Sequence, residues 1–176
     1  MEWHEALILG IIQGLTEFLP ISSSGHLELA SFILNTNQRD NLSFTILVHI
    51  ATAISIIYVF KYDILKIIKG FFIGEKKYLI LVIKILISSI PVGIVGLLYE
   101  NEVESLFNGN IFLVGSMLII TSLLLFFTYF SKENNKNNIS YLHAIIIGLA
   151  QALAIFPGIS RSGATISVAL LLKINK

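Results

Sequence analysis

Long apolar runs separated by short polar ones set the outline of this 176-residue chain. Leu42 to Phe60, Tyr78 to Tyr99 and Ile111 to Phe130 each come to the roughly 20 apolar residues that a membrane-crossing helix needs. Lys61 to Lys77 carries five lysines, and its ILKIIKGFFI core predicts a short amphipathic helix along the membrane surface. Residues 5 to 19 break the pattern: they are apolar except for Gln13, Thr16 and Glu17, then Pro20 stops the helix and a serine-rich turn follows. The next apolar run, Leu27 to Leu34, is eight residues long and is soon closed by Arg39 and Asp40. Neither arm has the length to cross. The pattern predicts a helix, a turn at membrane depth and a short helix returning the same way, with protein or a wet cavity satisfying the irregular backbone.

The same pattern recurs. Aligning Ala6–Leu27 with Ala144–Thr165 without a gap, an offset of 138, gives ten identities in 22 positions. Shared leucines and isoleucines mean little in so apolar a chain, but Gln13/Gln151, Phe18/Phe156 and the Ile-Ser-x-Ser-Gly of 21–25 and 159–163 are shared too. Where the copies differ, the chemistry differs: Glu17 faces Ile155, Ser23 faces Arg161 and His26 faces Ala164.

Loops 61–77 and 131–141 are basic, whereas loop 100–110 holds three glutamates and no lysine or arginine. The positive-inside bias therefore places the lysine loops in the cytoplasm and residues 35–41 outside. With a first hairpin that re-enters, three crossings precede its copy, and an odd number of spans inverts the copy. The expectation is an all-α, polytopic membrane protein with two inverted-topology repeats, each starting with a re-entrant helix-turn-helix. Residues 1–141 form the first repeat (re-entrant hairpin 5–34, spans 42–60, 78–99 and 111–130), and 142–176 start the second. Only 34 residues run from His143 to Lys176, so a fragment or a shortened relative is expected.

Composition agrees with a membrane protein: 55% hydrophobic residues, 13% charged and a mean hydropathy of +0.83. Soluble domains carry about twice that charged fraction. A net charge of +1 gives no reason to expect nucleic acid as a partner. The absence of cysteine excludes disulfides, thiolate catalysis and thiolate metal sites. The first residues, MEWHEALILG, lack a basic n-region and read as mature sequence.

Polar groups in hydrocarbon are costly enough to point to a site. Gln13 and Glu17 are four apart and share a helix face. They could hold a divalent cation, orient a proton-transfer partner, or act as hydrogen-bonding glue between helices. Ser22, Ser23, Ser24 and Gly25 offer hydroxyls and backbone N–H groups at a helix start, a cradle for an anion, although serine is also the ordinary N-cap. His26 follows as a candidate acid or base near neutral pH. Arg161, flanked by Ser160, Ser162 and Thr165, matches phosphate oxygens; the alternative is an ion pair with Glu17, which a substrate phosphate could displace. His49 and Lys84 read as hydrogen-bonded or snorkelling groups, and His4 and His143 as interfacial.

The stretches QGLTEFLPISSSGH (13–26) and PGISRSGAT (157–165) resemble the two signatures of the undecaprenyl-diphosphate phosphatase family, the bacitracin-resistance type. The likeness runs from end to end of the chain. It implies a multi-pass plasma-membrane hydrolase that removes the terminal phosphate of a C55 polyprenyl diphosphate lipid, with a divalent cation (Mg or Ca) and with a homodimer as a candidate state. By position it makes Gln13 and Glu17 the acidic motif, Ser23 the nucleophile or phosphate ligand, His26 the acid–base group and Arg161 the phosphate clamp. Ser160, Ser162 and Thr165 would complete the second turn. Family members continue for several more helices beyond the second turn. Two other readings stand beside hydrolysis. One is a polyprenyl-phosphate transporter or flippase using the same anion site, since broken helices in inverted repeats also build carriers. The other is a purely structural membrane subunit.

Overall fold

The computed structural model of the protein describes residues 1–36, 38–106, 109–131 and 139–174. Loop 35–41, linker 131–141 and the end at Lys176, used above for orientation and length, lie wholly or partly outside the described residues or their described side chains. The described residues are all-helical apart from turns: α1 (Trp3–Thr16), α2 (Ser23–Ile33), α3 (Gln38–Val59), α4 (Lys61–Ile73), α5 (Lys76–Leu98), α6 (Glu100–Ser105), α7 (Ile111–Tyr129), α8 (Tyr141–Leu153) and α9 (Arg161–Leu171).

Lys76–Leu98 and Ile111–Tyr129 are long and apolar enough to cross a membrane, and the bent pair Ser43–Val59 with Lys61–Ile73 is a third candidate if counted as one span. Their outward side chains are apolar and open: Leu97 is 83% exposed and Phe112 86%. Such surfaces need lipid around them, and this is a membrane protein. α4 leaves α3 at 76°. It ends at Gly74, whose φ of 84° closes the last turn in the left-handed region.

Four helices start on side-chain caps. Ser22, Asn110, Ser140 and Ser160 each accept from a backbone N–H three residues on, at 3.3, 3.1, 3.1 and 3.0 Å. His143, expected at the interface, returns the favour at Ser140 in a capping box. Lys84, expected to snorkel, rests its ammonium over the Tyr141 ring at 5.5 Å.

The second arm of the hairpin begins at Ser23, so the serine turn expected at a helix start is the N-cap and first turn of α2. The offset of 138 then carries Ser23–Ile33 onto Arg161–Leu171 from end to end. Leu9, Leu27 and Val48, with Ile12, Ala30, Leu34 and Phe44 around them, bind the first hairpin to α3. α7 packs against both α2 and α9, and α5 runs along α8. Gly148 permits the latter: a β-carbon there would lie 2.5 Å from the Ser88 carbonyl oxygen.

Candidate functional site

The two serine turns touch each other. A β-carbon on Gly25 would lie 2.9 Å from Gly158 Cα, and one on Gly163 would lie 2.8 Å from the Pro20 carbonyl oxygen. The 138-residue offset converts 25 into 163 and 20 into 158, so each contact is the image of the other, as in a two-fold interface. Ser23 and Arg161 are consequently equivalent: each is the first residue of its helix, next to a serine N-cap. The caps match in detail, with Ser22 and Ser24 hydroxyls 3.3 Å apart and Ser160 and Ser162 hydroxyls 3.2 Å apart. They differ in backbone, since the left-handed residue is Ser22 itself in the first turn (φ 70°) and Gly158 in the second (φ 101°).

A cavity of about 520 Å³ opens where the turns meet. The first turn contributes Glu17, Ser22, Ser23 and Ser24 to its wall, and the second contributes Ser160, Arg161, Ser162 and Thr165. Two helix N-termini therefore face one space, each bringing first-turn backbone N–H groups and the positive end of its dipole. With the guanidinium of Arg161 added, the space favours an anion rich in oxygen.

Among the described residues Glu17 is the one carboxylate on the wall, and its Oε2 is closely attended. The Ser23 hydroxyl donates to it, and the Gln13 amide nitrogen donates to it at 3.0 Å. His49 Nδ1–H donates to the Thr45 carbonyl at 2.8 Å, which turns Nε2 to within 3.8 Å of the same carboxylate oxygen. Among the described residues Arg161 makes no ion pair with Glu17, so the guanidinium is not tied up in the pair weighed as the alternative to phosphate binding.

Three expected residues stand off the wall. Gln13, 1% exposed, sits behind Glu17. Gly25 is buried in the contact with Gly158. His26 Nδ1–H donates to the Ser22 carbonyl at 2.8 Å, one turn back on its own helix.

The donor set also bears on a divalent cation. Among the described residues the buried Gln13 Oε1 has no hydrogen-bond partner; it lies beside a carboxylate, and both are the hard oxygen ligands that Mg or Ca takes. Among the described residues no group of three or more His, Cys, Asp or Glu gathers, so the rest of a shell would come from phosphate oxygens or water.

Thr45, His49 and Gln151 also line the cavity, and the sequence reading gave none of them a role there. Gln151 had a signal, as the repeat partner of Gln13. His49 had none beyond being an imidazole among small hydroxyl residues in an apolar span, because its approach to Glu17 is a long-range contact.

The sequence model of one family, described as bacitracin resistance protein BacA, matches residues 6–176. The chain belongs to the BacA family. An undecaprenyl-diphosphatase of Bacteroides fragilis is 51% identical over 180 residues, which take in 100% of this chain and 66% of that BacA relative. Relatives of the same name from Christiangramia forsetii and Methanococcus vannielii are 50% and 41% identical, over 100% and 98% of this chain and 67% and 69% of their own lengths. The chain thus spans about two thirds of the length of the relatives it matches.

Proposed function

We propose that this site binds the diphosphate of undecaprenyl diphosphate and hydrolyses its terminal phosphate, leaving the monophosphate carrier for cell-wall synthesis. The observation that carries the reading is the cavity itself, whose wall brings Ser23, its hydroxyl bonded to the Glu17 carboxylate, together with Arg161 and two helix N-termini. Arg161 and the N–H groups of both turns hold and neutralise the phosphate oxygens. Ser23 Oγ, or a water in its place, attacks the terminal phosphorus as the proton passes to Glu17. The bridging P–O bond breaks and undecaprenyl phosphate leaves with the bridging oxygen. With Ser23 as nucleophile, water then cleaves the phosphoserine. A divalent cation held by Glu17 and Gln13 would add charge neutralisation at the diphosphate. His26, the acid–base group by resemblance, is tied to its own turn, so in this arrangement the first proton goes to Glu17.

The same reading takes the two hairpins as re-entrant starts of inverted repeats in a multi-pass plasma-membrane protein, repeat one over 1–141 and repeat two from 142. The reciprocal contact of the turns supports it, since an in-plane two-fold axis relates inverted repeats. A pocket opening to the outer face and a homodimer belong to it as well. The named relatives are diphosphatases, which puts hydrolysis ahead of carriage for the same anion site.

Arg161→Ala tests the function. Phosphate release from C55 diphosphate in detergent should fall by about 10²–10³-fold with the helical circular dichroism unchanged. Near-normal release would remove Arg161 from the mechanism.

A further inference from the structure

We infer that Thr121, on α7 and outside the cavity wall, is the positioning residue that aims the arginine turn. Resting on the proposed anion site, this inference assigns the aim of Arg161 to a helix that neither repeat motif contains.

Thr121 is 3% exposed and bridges two backbone groups of the second turn. Its hydroxyl donates to the Gly158 carbonyl at 2.8 Å and accepts from the Ser160 N–H at 3.0 Å. One side chain thereby pins the chain on both sides of Ile159, and Arg161 is the next residue. The Ser160 hydroxyl is left to cap α9 at Gly163 and to meet Ser162.

The helix beneath is shaped for the purpose. A β-carbon on Gly158 would lie 2.5 Å from the Val114 carbonyl oxygen, 2.8 Å from Met117 Cβ and 3.2 Å from Leu118 N. Val114, Met117, Leu118 and Thr121 fall at i, i+3, i+4 and i+7, one face of α7 laid against the turn. Leu118 also reaches the first turn, 3.1 Å from a β-carbon on Gly25. The face thus fixes the second turn against the first, and Thr121 is its one hydroxyl.

Without that hydroxyl, Gly158 C=O and Ser160 N–H are buried with no partner, and the turn must shift to find one. Removing it leaves the Glu17–Ser23 hydrogen bond alone, so the effect should fall on phosphate binding rather than on proton transfer.

The test uses the whole chain in detergent and inorganic pyrophosphate as probe. In Thr121→Val, which keeps the volume, amide exchange at Ser160 should accelerate and pyrophosphate affinity should fall about tenfold. Thr121→Ser, which keeps the hydroxyl, should stay within about twofold on both readouts. In the unmodified protein the Ser160 amide should exchange slowly, although an N-cap has no intrahelical carbonyl; fast exchange there overturns the inference whether or not the valine variant folds. Faster exchange in Thr121→Val with unchanged affinity also overturns it, since Thr121 would then serve the fold alone. Equal pyrophosphate binding by the unmodified protein and Arg161→Ala would instead bring down the reading of the site, and this inference with it.

Discussion

Gly25 and Gly163 set the distance between the two halves of the site, and a single methyl on either should force them apart. At Gly25 the new carbon would stand 2.9 Å from Gly158 Cα and 3.1 Å from Leu118 Cδ2; at Gly163 it would stand 2.8 Å from the Pro20 carbonyl oxygen and 2.9 Å from Ser160 Cβ. Carbon contacts settle at about 3.5–4.0 Å, so either substitution asks the facing backbone to retreat by roughly 0.6–1 Å. The leucine end can swing aside, but the opposite turn cannot without moving as a unit. Overpacking of this kind costs about 1–3 kcal/mol. Because the clashes are images of each other, a separation that relieves one relieves part of the other. Gly25→Ala with Gly163→Ala should therefore cost less than the sum of the singles, by about 0.5 kcal/mol or more. Denaturant unfolding of the purified protein in detergent measures the cycle, and pyrophosphate affinity should fall in step as Arg161 draws back from Ser23. Gly10→Ala is the control, since its β-carbon meets nothing within 4 Å and should bring no loss. Neutral single variants, or strict additivity in the double, would refute the reciprocal contact as what holds the site together.

Glu17→Gln should lower phosphate release by about 10²–10⁴-fold while leaving pyrophosphate bound, because it removes the proton acceptor of Ser23 and leaves Arg161 in place. His26→Ala should lose less; a larger loss than from Glu17→Gln would send the proton to the imidazole instead. Stripping divalent cations with a chelator should abolish release, with Mg or Ca restoring it, and unchanged release in metal-free buffer would take the cation out of the reaction.

Much of this architecture is written in local pattern. The apolar run 78–99 and helix Lys76–Leu98 agree within two residues, because a helix that must satisfy its backbone in lipid has little freedom over its length. The serine turns could be read as helix starts because serine is the ordinary N-cap, and α2 and α9 do begin there. The repeat made Ser22–Gly25 and Ser160–Gly163 legible as one motif twice. What remained hidden depends on helices crossing far from one another in sequence. Nothing in TILVHIATA marks His49 as turned toward Glu17, and nothing in MLIITSLLL marks Thr121 as different from Ser122, until α3 and α7 are laid against the turns.

A site made from two copies of one turn cannot keep both copies alike. Identical halves would set two carboxylates, or two guanidiniums, on opposite walls of the same 520 Å³ cavity, where like charges disfavour ionisation of both. Divergence at three aligned positions avoids this: Glu17 against Ile155, Ser23 against Arg161, His26 against Ala164. What the copies retain is what an anion needs from either side, a serine N-cap, a second serine and a glycine thin enough for backbone to approach backbone. On the proposed function the shared residues build the cradle, Glu17 and Ser23 give it a reactive side, and Arg161 gives it a binding side.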